Sequence, residues 1–581
     1  MTQVNHLDKL DKLTANFPIR TFFWILAIVL GILHNWANRF TMNPDGVSYL
    51  DIGDAYFRGD WSEALNGYWS PLYSWLLGFA MAVIKPSAYW EFPVAKLVNF
   101  FIYLVALVCF EFFLNQLIVF YQERRRETSQ SRYFEIPQWM WLTLGYTLFI
   151  WSFLYWLWKD YDQRLCQLTP DGCVAALVYL ATGIILRVRT QSASWASFIL
   201  LGVILGLAYL AKAVMFPLSF VFLVVSFFSV ENRRQALSRV VVAFVVFLIV
   251  AMPFCAALSM AKGHFTFGDT GKLNYVWYTN GIDRPYVHWQ GAQPETGTPK
   301  HPVRQIFDAP VVFEFGTPVG GTYPLWYDPS YWYEGIKSRF DFKGEIRALK
   351  TSFAYVANYI GAFLLVYLVL AYFSNRLFLA IALKDLIENW RLLVPAFVGT
   401  AVYLPVWIEI RYFAPFLILL CVGALASLRL PNTQESKRLM VGITLAVFVG
   451  ATYNFSALTI GNLKASFQET IHTEWLIADQ LNSLGIRPGD QVARIGEIPG
   501  NYWGGYWARL AKVKIIAEVD TSLKQEINYW KADASIQDRV LEVLKQSEVK
   551  AVVAEKIPDD FSAVGWHSLK GTSFHIRFLS Q

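Results

Sequence analysis

Charge is what this chain has least of: only 16% of its 581 residues are Asp, Glu, Lys or Arg, against 55% hydrophobic and 17% aromatic. Soluble domains carry about 25% charged residues, so this composition excludes an ordinary water-soluble chain and points to a polytopic membrane protein. Cysteine is scarce as well. Five cysteines do not make a disulfide scaffold, and Cys109, Cys255 and Cys421 lie inside apolar runs, where a small buried thiol is the expected reading. Only Cys166 and Cys173 are placed to pair. The chain also lacks a P-loop and a nucleophilic Ser or Cys motif, and His264, His288 and His301 have no metal-ligand spacing, so they read as polar loop residues. The net charge of +6 implies no nucleic-acid partner; in a membrane protein Lys and Arg set orientation by where they fall.

Long apolar runs are abundant. Runs long enough to cross a bilayer lie near residues 21–40, 93–120, 138–158, 171–188, 194–212, 214–230, 239–260, 352–373, 392–408, 412–429 and 439–458, which predicts about eleven spans. The polar first twenty residues precede an apolar run with no small-residue cleavage site after it, as in a signal anchor that stays attached. The run from Pro71 to Ile84 has a length that suits a re-entrant or interfacial helix as well as a span. Charge decides between them. If it does not cross, Arg124–Arg126, Arg187 with Arg189, Arg233, Arg234 and Arg239, Arg376, and Arg429 with Lys437 and Arg438 all fall on the side of the N-terminus, which is then cytoplasmic.

That threading leaves residues 41–92, 159–171, 261–351 and everything after about 459 on the outer face. It divides the chain into a membrane domain, 1–458, and an extracytoplasmic domain, 459–581. The loop 261–351, rich in Tyr, Trp, Gly and Pro, is too long for a simple connection and reads as an ordered lid. In the C-terminal part, helix patterns at Trp475–Leu484 and Ile536–Ser547 alternate with strand patterns at Gln491–Ile495, Lys512–Val519, Val549–Glu555 and Phe574–Leu579, predicting a small α/β domain. Its Gly496-Glu497-Ile498-Pro499-Gly500 turn lacks the G-x-G-x-x-G spacing of a dinucleotide site.

The acids concentrate in the outer segments. Pro44-Asp45-Gly46 recurs as Pro170-Asp171-Gly172, each at the start of a helical pattern. Either Asp could simply serve the free N–H groups of a helix start. Presented on one membrane face, the two together could take a proton from an acceptor hydroxyl and hold that nucleophile, or ligate a divalent cation. Asp51 and Asp54 share a helix face with each other, which a solvated surface explains. Asp160, Asp162 and Arg164 could likewise solvate the turn that carries them. Lys212 closes an otherwise uncharged run and Arg411 stands between two runs on the same side. They could snorkel to the interface or grip a lipid phosphate, Arg through its bidentate fork.

At these residues the chain resembles the membrane-embedded polyprenol-dependent glycosyltransferases, which include protein O-mannosyltransferases and the bacterial transferase that adds aminoarabinose to lipid A. The likeness rests on Pro44-Asp45-Gly46-Val47-Ser48-Tyr49-Leu50, Arg58-Gly59-Asp60-Trp61, Ser70-Pro71-Leu72-Tyr73-Ser74-Trp75-Leu76, Leu168-Thr169-Pro170-Asp171, Gly206-Leu207-Ala208-Tyr209-Leu210-Ala211-Lys212 and Arg411-Tyr412-Phe413-Ala414-Pro415, in that order. It implies an inverting transferase in a bacterial plasma membrane. Such an enzyme moves a monosaccharide from a polyprenyl-phosphate carrier to a lipid, glycan or protein acceptor at the outer face. Asp45 and Asp171 would be catalytic, and Lys212, Arg411, Tyr49 and Tyr73 would bind substrate. Two departures stand out. Asp45 is followed by Gly46 instead of a second acid, which leaves a metal role for Asp45 and Asp171 open, and the usual Lys-Pro-Pro is replaced by Trp69-Ser70-Pro71. A transporter or lipid flippase would also suit the span count, but would place ionisable groups at mid-depth, where these spans have almost none. A non-catalytic receptor or assembly protein would use the two Pro-Asp-Gly turns only as helix starts.

Overall fold

The computed structural model describes residues 18–127, 133–157, 167–191, 193–282, 297, 300–301, 303–317, 319–331, 334–373, 386–468, 472–496, 504–521, 528–559, 561 and 563–579. His288, Asp160, Asp162, Arg164, Cys166, Arg376 and most of the Gly496–Gly500 turn lie outside these residues; Cys173 is buried.

The membrane part is built from helices α1 (Ile19–Ala37), α2 (Pro44–Arg58), α3 (Pro71–Ile84), α4 (Ala88–Glu127), α5 (Gln138–Leu157), α6 (Asp171–Thr190), α7 (Trp195–Ala211), α8 (Met215–Ser229), α9 (Arg233–Lys262), α10 (Phe342–Phe373), α11 (Trp390–Ala401), α12 (Ile410–Ser427) and α13 (Gln434–Gln468). Each of the expected apolar runs overlaps a helix, although the run 392–408 leaves its helix at Ala401 and the run 21–40 at Ala37. Seven of the described helices, α1, α4, α6, α9, α10, α12 and α13, are long and apolar enough to cross a bilayer. α7, α8 and α11 have 17, 15 and 12 residues. In hydrocarbon a helix satisfies its own backbone, and its lipid-facing side chains are apolar. Phe101, Val105 and Val108 on α4 and Val241, Val245 and Ile249 on α9 are accordingly exposed, while the facing rows are closed.

Helix α2 does not stand alone on the surface. It crosses α3 at two glycines, where a Cβ on Gly53 would come within 2.6 Å of the Ser74 carbonyl oxygen and one on Gly78 within 2.8 Å of the Gly53 carbonyl oxygen. Small residues at a crossing let two backbones meet, so α2 and α3 form one rigid pair.

Beyond α13 lie α14 (Thr473–Ser483), α15 (Tyr506–Ala511) and α16 (Ala534–Gln546) around a seven-stranded mixed sheet of order β1-β2-β4-β3-β5-β7-β6. The strands β3 (Gln491–Gly496), β4 (Lys514–Asp520), β5 (Ala551–Ala554), β6 (His567–Ser568) and β7 (His575–Phe578) come from the C-terminal part. β3 runs parallel to β4 and β5, and β7 antiparallel to β5. The all-buried run Ala551–Ala554 is what a strand covered on both faces requires. The other two strands, β1 (Arg304–Phe307) and β2 (Val312–Glu314), belong to the long loop, and β2 pairs antiparallel with β4 through Val312 opposite Val519 and Glu314 opposite Ala517. The loop therefore extends the C-terminal sheet. Its Tyr323–Pro329 segment carries a short buried helix, Pro324–Tyr327.

Candidate active site

The two Pro-Asp-Gly turns are fastened to each other. Asn43 precedes α2, yet its side chain does not cap that helix; its Oδ1 accepts the backbone N–H of Leu168 at 2.8 Å, three residues before Asp171. Gly46 makes this approach possible, since a Cβ there would lie 2.8 Å from Leu168 Cβ and 2.9 Å from Asn43 Oδ1. A Gly46→Ala chain must push the two turns apart and is expected to unfold at a lower temperature than the wild type. Thermal unfolding of the two purified proteins checks this.

Asp45 is the second residue of α2 and Asp171 the first of α6. Arg411, near the start of α12, reaches both: its Nη1 lies 3.4 Å from Asp45 Oδ2 and its Nε 3.9 Å from Asp171 Oδ2. The same Nε donates to Glu409 Oε2 at 2.6 Å, and Nη2 donates to the Tyr412 hydroxyl at 3.2 Å. Lys212, where α7 ends in an extended residue, donates from Nζ to Asp171 Oδ1 at 2.6 Å and sits 3.7 Å from the centre of the Tyr412 ring. Lys212 thus turns into the protein instead of snorkelling outward. The chain brings Asp45, Asp171, Lys212 and Arg411 together from four helix ends.

The two acids differ in freedom. Asp171 keeps only 3% of its side-chain surface and is held by Lys212, whereas Asp45 keeps 30% and has one long ion pair. Burial raises the Asp45 carboxyl above its ordinary range, against the pull of Arg411; Glu409 and Asp171 push it further up. A carboxyl that is open and has a raised pKa is suited to accept a proton, while a locked one suits orientation of cations.

Tyr49 lies edge-on to Trp69 and Tyr73, with ring centres 5.0 Å away in each case. Tyr73 is fully buried and donates its hydroxyl to Asn99 Oδ1 at 2.5 Å. These rings brace α2, and Tyr49 lies close enough to Asp45 and Asp171 to feel both charges. Glu409 escaped the sequence reading, and Tyr412 enters it only as part of the Arg411–Pro415 motif, with no site role. Both flank Arg411, and an acid two residues from an arginine at the mouth of a span was the available signal. Asp51 and Asp54 are not a solvated face: Asp51 is buried, and both pair with Arg509.

The donor set does not fit a divalent cation. The Arg411 guanidinium occupies the space between Asp45 and Asp171, Lys212 holds the other Asp171 oxygen, and no group of three potential His, Cys, Asp or Glu ligands is gathered among the described residues.

No protein-family model and no curated protein sequence matches the chain. Among solved structures it is similar to ArnT from Cupriavidus metallidurans in the apo state, with 12% identity, 97% of this chain and 98% of that chain covered, and a TM-score of 0.49. For the same protein bound to undecaprenyl phosphate the figures are 13%, 96%, 98% and 0.47. The Archaeoglobus fulgidus oligosaccharyltransferase in its apo form is similar at 12% identity over 93% of this chain and 70% of that one, with a TM-score of 0.47.

Proposed function

We propose that this chain is an integral membrane glycosyltransferase that moves one sugar from a polyprenyl-phosphate carrier to a hydroxyl-bearing acceptor at the outer face of the membrane. The observation that carries this reading is the meeting of Asp45, Asp171, Lys212 and Arg411 in one cluster at four helix ends. The placement follows from charge. Helix α6 has Asp171 at one end and Arg187 and Arg189 at the other, and α12 runs from Arg411 to the basic Arg429 just beyond it. Basic ends face the cytoplasm, so the pocket opens on the opposite side.

In the reaction the acceptor oxygen attacks the anomeric carbon from the face opposite the phosphate. The new carbon–oxygen bond forms as the bond to the phosphate oxygen breaks, and the anomeric centre inverts. Asp45 takes the acceptor proton. Lys212 and Arg411 stabilise the charge that builds on the departing lipid phosphate, where cations fixed in advance lower the barrier most. Asp171 holds both cations in place. Tyr49 and Tyr73 fix the helix that carries the base. On this reading the loop 261–351 selects which lipid, glycan or protein serves as acceptor.

Membranes containing the chain, incubated with polyprenyl phosphates bearing labelled mannose, glucose, arabinose or aminoarabinose, should move one label onto an acceptor; no transfer from any of them counts against the reading. The pH dependence follows from the raised Asp45 carboxyl. The base must be ionised, so turnover should fall as pH drops, with a midpoint above the ordinary carboxylate range near 4. A pH profile of kcat/KM with the accepted donor measures it.

A further inference from the structure

Arg509 lies far from the pocket in sequence, in the six-residue helix α15 of the C-terminal domain, and its side chain is only 5% exposed. Three carboxylates from the membrane part surround it. Nη1 donates to Asp51 Oδ1 at 2.8 Å, Nη2 meets Asp54 Oδ2 at 2.7 Å and Nε donates to Glu91 Oε1 at 2.6 Å. Lys512 adds a bond to Glu91 Oε2 at 2.7 Å. Asp51 is also held by the long loop, accepting the Thr322 backbone N–H at 2.8 Å and its hydroxyl at 2.9 Å. Thr322 in turn is tied to the sheet, its carbonyl accepting the Ile515 N–H at 2.9 Å.

Asp51 and Asp54 lie on the same helix as Asp45, and Glu91 lies in the first turn of α4, against which α3, the partner of that helix, packs. A guanidinium fork that bonds three carboxylates at once fixes direction as well as distance, which an ammonium cannot do. A buried charge cluster of this kind adds little net stability but specifies one arrangement. We propose that Arg509 is a positioning residue for the transfer reaction. Through it the C-terminal domain clamps α2 and sets where the Asp45 carboxylate stands relative to Asp171 and Arg411. This rests on the glycosyl-transfer reading for its kinetic consequence but not for its geometry.

The test uses the full-length chain. Arg509→Ala should lower kcat at least about tenfold, since it misplaces the base, while the KM for the donor the wild type consumes stays within about twofold. Millimolar guanidinium, filling the vacated fork, should restore part of kcat, and tetramethylammonium should not. Independently of activity, spin labels at Phe57 on α2 and Ile199 on α7, in a background without native cysteines, should give a broadened or shifted distance in Arg509→Ala that guanidinium narrows. If Arg509→Ala fails to accumulate, Asp51→Asn, which removes one of its two partners on α2, carries the same expectations for kcat, donor KM and label distance, without rescue by guanidinium. Unchanged kcat with unchanged label distance overturns the clamp, as does a loss confined to donor KM. If no donor is consumed by the wild type, the transfer reading falls, and the label distance alone decides whether the clamp exists.

Discussion

An Asp45→Asn chain should accumulate in the membrane at the wild-type level and transfer no more than about 1% of the wild-type rate. General-base assistance is worth about a hundredfold to ten-thousandfold, and the amide has no site of comparable basicity. The fold has little at stake in that oxygen. Asp45 is not the N-cap residue of α2, its one ion-pair partner among the described residues is Arg411 at 3.4 Å, and Asn keeps the shape. Donor KM should change little, because the cations that face the phosphate remain. Rates with labelled donor, set against the thermal unfolding of purified protein, separate chemistry from folding. A near-normal rate would remove Asp45 from the base role and transfer attention to Glu409, the other partly open acid in the pocket.

Replacing Arg411 should have a comparable effect with a different signature. Its guanidinium touches Asp45, Asp171, Glu409 and Tyr412, so Arg411→Gln leaves carboxylates facing one another with only Lys212 among the pocket's named cations. The departing phosphate loses a charged donor, which costs on the order of a hundredfold to a thousandfold in kcat. Unlike Asp45→Asn, this change should also move the acid limb of the pH profile. Arg411 lowers the Asp45 carboxyl, so its removal sends the midpoint upward. A pH profile of Arg411→Gln with an unmoved midpoint would show that the two groups do not communicate. Arg411→Lys should recover part of the midpoint and little of the rate, because an ammonium restores the charge but not the fork.

The sequence revealed most where a signal was local. The apolar runs each overlap a helix, and the strand patterns of the C-terminal part meet β3, β4, β5 and β7 with ends shifted by one or two residues. The pairing of the two Pro-Asp-Gly turns was legible because the same tripeptide marks both. What stayed hidden depends on distant partners. Asp51 and Asp54 look like a wet helix face until Arg509, more than four hundred residues later, covers them. The short helix α15 that delivers this arginine has no heptad or alternation to announce it. The strands β1 and β2 were invisible for the same reason: two short segments in an aromatic loop become strands only because β4 offers them an edge.

That borrowed edge imposes an order on biosynthesis. β2 ends at Glu314 and its partner β4 begins at Lys514, so the ribosome releases the hairpin some 200 residues before the strand that will hold it. At ordinary translation speeds of about 5–20 residues per second the hairpin waits roughly 10–40 seconds with an unpaired edge. For the first half of that interval Arg411 is itself still to be made, and throughout it α2 lacks the tie from Asp51 to Arg509. A chain that stopped before β4 would keep Asp45, Asp171, Lys212 and Arg411 but leave β2 without its partner strand and α2 without Arg509.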